Sequence, residues 1–62
     1  MDAEHDLFEV FPGGAPLWRG CVRGREPALA ALEVLGRQTA NVCFAVELFT
    51  GTIIGRVNDG QT

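Results

Sequence analysis

The sequence has no lysine, no tyrosine, a single histidine and only two cysteines. The histidine, His5, falls in an acidic N-terminal stretch with Asp2, Glu4 and Asp6, which reads as a flexible tail over residues 1–6. Nucleophilic catalysis needs a nucleophile beside a base that a third group holds. Neither Cys21 nor Cys43 meets a histidine unless that tail folds back, so the expectation is a protein that is not an enzyme. The cysteines belong to no CxxC motif, and structural zinc sites use closely spaced ligand pairs. Neither a metal nor a cofactor is expected. Long apolar runs are also missing: the stretch Thr39–Val46 falls far short of the roughly 20 residues of a membrane span. The N-terminus is acidic where a secretory leader is basic, which makes the cytoplasm the expected location.

Positive charge is scarce. The formal net charge is −3, whereas nucleic acids and anionic membranes are bound mainly through cations. The five basic residues are all arginine: Arg19, Arg23, Arg25, Arg37 and Arg56. Genomic base composition accounts for this blandly. Selection for planar, forked donors at an interface is the functional account. The segment Gly24-Arg25-Glu26-Pro27 enters a helix, but a proline that lacks an N–H and a glutamate that repels anions argue against phosphate binding there.

What is present is a globular composition, 47% hydrophobic and 21% charged, in a chain of one-domain size. A domain this small buries only about 60% of the surface its unfolded chain exposes. Such domains often gain stability from a disulfide, a metal or a partner chain.

The pattern predicts an α+β domain over residues 7–57. Leu7–Phe11 and Leu17–Arg23 read as strands around the turn Pro12-Gly13-Gly14-Ala15-Pro16. Pro27 suits a first helical position, with Glu26 as N-cap. Ala28, Ala31, Leu32 and Leu35 make one buried helical face, and Gly36, or Asn41 a little later, ends the helix near Arg37. Val42–Phe49 and Thr52–Val57 form a second hairpin around Thr50-Gly51, and residues 58–62 read as a flexible end. The layout is ββαββ, a four-stranded antiparallel sheet with one helix on one face. Strand orders 2-1-3-4 and 1-2-3-4 both allow a right-handed crossover. Pro16, Gly20 and two arginines in strand 2, and Gly55 and Arg56 in strand 4, mark edges and favour 2-1-3-4. In that order strands 2 and 3 are about 9.6 Å apart, too far for a Cys21–Cys43 disulfide, so both thiols are expected free.

Alternation assigns the faces. Phe8, Val10, Trp18, Val22, Val42, Phe44, Val46, Leu48, Ile53 and Val57 are expected under the helix, with Gly20 and Gly55 making room. The opposite face then carries Leu7, Glu9, Phe11, Leu17, Arg19, Cys21, Arg23, Cys43, Ala45, Glu47, Phe49, Ile54 and Arg56. Such a face is too apolar for a sheet left to water, and an exposed apolar patch rimmed by charge marks an interaction surface. The candidate surface is Leu7, Phe11, Leu17, Arg19, Cys21, Arg23, Cys43, Glu47, Phe49, Ile54 and Arg56. In the bland account arginine stems shield Phe11 and Phe49, and Glu9 and Glu47 pair with Arg19 and Arg56. The functional expectation is a non-catalytic protein-interaction module, self-associating as a homodimer. The alternatives are a regulatory, antitoxin-like module binding another protein, or a single-strand nucleic-acid binder using Phe11 and Phe49 with the arginines.

The succession Glu9-Val10-Phe11, Pro16-Leu17-Trp18-Arg19-Gly20, an alanine- and leucine-bearing helix, Asn41-Val42-Cys43-Phe44-Ala45 and Thr50-Gly51 resembles small, uncharacterised bacterial proteins with this strand-strand-helix-strand-strand layout. The resemblance implies a free-standing small domain and carries no functional residues.

Overall fold

The structure, a computed structural model, describes residues 2–60. The elements follow the expected order: β1 (Glu4–Val10), β2 (Pro16–Arg23), α1 (Arg25–Gln38), β3 (Val42–Glu47) and β4 (Thr52–Val57). The strands form one sheet in the order β2-β1-β3-β4, all neighbours antiparallel, and α1 packs on one face of it.

The N-terminal stretch is a correction. Glu4, His5 and Asp6 belong to β1, paired with Arg23, Val22 and Cys21, and His5 is only 2% exposed. The acids suggested a solvated tail, but a strand needs only alternate residues outside. Asn58, expected in the C-terminal tail, is also held: its Nδ2 donates to the carbonyls of Gly36, Thr39 and Asn41 at 3.0, 2.9 and 2.9 Å. Of those expected tails, Met1 and residues 61–62 lie outside the described residues.

The helix starts earlier than expected and ends near Arg37 as expected, at Gln38. Its N-cap is Gly24 at φ 94°, a conformation that favours glycine. Pro27 therefore lies inside the first turn, where no N–H has an intrahelical acceptor. The first helical bond runs from Ala28 N–H to the Gly24 carbonyl at 3.1 Å. Gly36 does not stop the helix, which continues to Gln38 with Thr39 as C-cap. Gly36 instead lets the helix approach β4, since a Cβ there would lie 2.6 Å from Val57 Cγ2. Helix propensity alone predicts that Gly36→Ala stabilises by about 1 kcal/mol. The clash reverses the sign, and we expect a loss of about 1–3 kcal/mol, read as a lower urea midpoint.

The faces of the central strands are the larger correction. The core under the helix consists of Leu7, Leu32, Leu35, Cys43 and Ala45, with Val22, Ala31, Ile54 and Val57 packed against it. Leu7 pairs with Ala45 and Glu9 with Cys43, so these residues share the helix side. Phe8, Val10, Val42, Phe44 and Val46, expected under the helix, take the open side. On the outer strands the expected faces hold only beyond a bulge. The register skips Arg19 in β2 and Ile54 in β4. Val22 and Val57 are inside as expected, while Trp18 and Ile53, on the far side of each bulge, turn outward. Leu48 falls in the β3–β4 turn, 48% exposed.

Candidate functional site

Pairing across four strands sets the open face out in rows. One row is Cys21, Asp6, Val46 and Ile53; the next is Trp18, Phe8, Phe44 and Arg56; a third begins Pro16, Val10, Val42. The rings of Phe8 and Phe44 stack at 5.3 Å between centroids. Trp18 is 56% exposed, and its Nε1–H donates to Asp6 Oδ1 at 3.0 Å. Arg23 meets Glu4 at 3.1 Å at the corner of the face. Among the described residues neither Arg56 nor Asp6 forms an ion pair.

The two sides of the sheet differ in side-chain size. Toward the helix it presents Cys43 and Ala45, both fully buried, and Gly55, where a Cβ would lie 2.9 Å from Leu29 Cδ2. Toward the open side it presents Phe8, Phe44 and Trp18. The small residues bring the helix close, and the bulky ones are left without a layer over them.

The candidate surface is therefore rearranged. Cys21, Arg23 and Arg56 lie on the open face as expected. Leu7 and Cys43 are in the core, and Ile54 packs against it. Arg19, freed by its bulge, reaches Glu9 on the helix side. Glu47 also belongs to that side and accepts from Thr50 Oγ1 at 2.7 Å instead of meeting Arg56. Leu17 lies opposite Glu9 on the exposed edge. Phe11 borders a shallow groove beyond β1, and Phe49 is 94% exposed in the β3–β4 turn. Phe8, Val10, Trp18, Val42, Phe44, Val46 and Ile53 were missed as surface residues. The signal that identifies them is indirect: Ala45 and Gly55 suit close helix approach better than Phe44 and Arg56 do.

Glu9 is the buried polar centre, 2% exposed. It accepts from Thr39 Oγ1 at 2.6 Å and from Asn41 Nδ2 at 2.8 Å, and it pairs with Arg19. The Thr39 and Asn41 hydrogen bonds, together with the Arg19 charge, hold its carboxyl below the usual range against the opposing effect of desolvation. It ties β1 to β2 and to the loop after α1. The nearby groove, about 350 Å³, is bordered by Val10, Phe11, Asn41 and Asn58, whose amides already serve internal acceptors.

The thiols are unpaired and lie on opposite faces, Cys21 exposed and Cys43 buried. Desolvation, then the Glu4 and Asp6 carboxylates, push the Cys21 thiol above its ordinary range. Burial and Glu9 do the same to Cys43. Both shifts disfavour the reactive thiolate. His5 faces the helix side, away from Cys21. Among the described residues no three His, Cys, Asp or Glu are grouped to hold a metal ion, and no helix is long and apolar enough to cross a membrane.

The fold and the open face define a small α+β domain with an uncovered aromatic sheet surface. In comparisons with known proteins, no family model, no curated protein and no solved structure matches the chain.

Proposed function

We propose that this chain is a protein-interaction domain that self-associates by packing its open sheet face against that of a second copy. The observation that carries this reading is the inverted size distribution: the sheet turns Phe8, Phe44 and Trp18 outward while Cys43, Ala45 and Gly55 line the helix. Each large apolar side chain removed from water contributes about 1.5–3 kcal/mol when fully buried, a large term for a small domain. Face-to-face packing of two sheets makes an ordinary core about 10 Å thick. Edge pairing is disfavoured, because both outer strands carry bulges, at Arg19 and Ile54, and bulged edges resist strand addition.

Light scattering after size exclusion, over a dilution series, tests the reading. The expected mass is twice the 6.7 kDa of one chain, falling toward one chain on dilution. Cys21 supplies a second readout: it lies on the open face beside Asp6, so a thiol reagent should label it slowly in the dimer and faster as dilution dissociates it. A monomer at every concentration would overturn the proposal.

The aromatic row ending in Arg56 favours one other reading, base stacking along a single-stranded nucleic acid. Glu4 and Asp6 on the same face and the net charge of −3 oppose it. An unchanged fluorescence anisotropy of labelled single strands at low salt would eliminate it.

A further inference from the structure

Resting on that self-association, we infer that the two copies are oriented by a reciprocal contact in which Arg56 of one engages the Trp18–Asp6 pair of the other. Trp18 and Arg56 stand at opposite ends of the same row, on β2 and β4, with Phe8 and Phe44 between them. A two-fold interface meets the same patch on both copies, so its axis decides which residues oppose. An axis along the strands, between β1 and β3, lays β4 of one copy over β2 of the other. The phenylalanines then meet at the centre, and Arg56 faces the partner's indole at both ends. Aligned sheets cross at about 30°, which shifts the outer strands by roughly one residue spacing, within reach of an arginine side chain.

Charge selects this axis over the alternative. An axis across the strands lays β4 over β4 and brings the two Arg56 guanidinium groups to the same edge, a like-charge meeting that complementary interfaces avoid. The axis along the strands joins opposite charges instead, and both are available: neither Arg56 nor Asp6 forms an ion pair within the described chain. The Trp18 Nε1 bond to Asp6 fixes the indole and the carboxylate as one unit. A guanidinium can stack on the ring face and bond the carboxylate.

Charge exchange provides the test. Arg56→Asp and Asp6→Arg alone should each raise the dimer dissociation constant at least about tenfold, because each places like charges at both ends of the interface. Mixing these two variants should restore a heterodimer, seen by light scattering or by native mass spectrometry, because each contact again joins opposite charges. Far-UV circular dichroism checks the fold. Should Asp6→Arg not fold, Asp6→Asn keeps an acceptor for Trp18 and should still weaken association. If the native chain is a dimer and the variants dimerise equally well, or the mixture gains nothing, this orientation is wrong while self-association stands. A native chain that is monomeric throughout overturns both.

Discussion

Phe44→Glu should leave the chain folded and monomeric, whereas Ala45→Glu, the next residue in β3, should unfold it. Phe44 lies on the open face, half-buried against Phe8. A glutamate at that position reaches water in a single copy. In a face-to-face dimer it becomes an unpaired charge at the centre of the interface, and the dissociation constant should rise about 100-fold or more. Ala45 is fully buried in the core with Leu7, Leu32 and Leu35. A carboxyl there has neither room nor a partner, and the combined cost of burying it and of overpacking the site is comparable to the roughly 5–15 kcal/mol that hold a domain together. Circular dichroism and light scattering on both variants check the pair. The reverse outcome, with Ala45→Glu folded and Phe44→Glu unfolded, would mean that the helix covers the aromatic side.

That pair of variants turns on the point where sequence patterning and structure part. Element types, their order and the strand order were legible, because each had a local cause. Gly13-Gly14 and Gly51 mark the hairpins, Ala28, Leu32 and Leu35 mark one helical face, and proline, glycine and arginine mark β2 and β4 as edges. Alternation also separated β1 and β3 correctly into two sets of residues. It does not say which set goes beneath the helix. The more apolar set was expected inside, the usual outcome when one face is left to water. Helix-to-sheet distance chose instead: Gly36 against Val57 and Gly55 against Leu29 allow an approach that a row of phenylalanines would not.

The bulges were illegible for a different reason. A single extra residue resets the period of two for everything beyond it, and Gly20 and Gly55, which stand beside the two skips, are equally consistent with a bulge, an edge strand or a close helix approach. At Arg19 the reset also has a use. It turns the side chain toward the helix side, where Glu9 waits. A Glu9–Arg19 pair belongs to the bland account of the open face, as a cross-strand contact, whereas Thr39 and Asn41 as partners of Glu9 have no signal in the sequence. They belong to the loop after α1, and no spacing rule connects that loop with β1.

Acid should loosen this fold through Glu9. The folded protein holds the Glu9 carboxyl below its ordinary value of 4.5, so its ionised form contributes stability above the unfolded value. That contribution is lost as pH falls from about 4.5 through the lower folded value. Glu9→Gln removes the titration and the charge partner of Arg19. The variant should be less stable than the native chain at pH 7. The difference between their urea midpoints should shrink as pH is lowered below about 4.5, because the unfolded native chain takes up a proton there that the folded Glu9 carboxylate resists. The difference is the quantity to follow, since the other carboxylates titrate in both proteins. Thr39→Val should lower the folding constant about tenfold or more at pH 7, as expected for a lost hydrogen bond to a charged acceptor, with a smaller penalty at pH 3. Parallel pH profiles for the native and Glu9→Gln proteins would mean that the carboxylate does not pin β1 to β2 and to the Thr39–Asn41 loop. In that case the bulge at Arg19 would have to be held by backbone pairing alone.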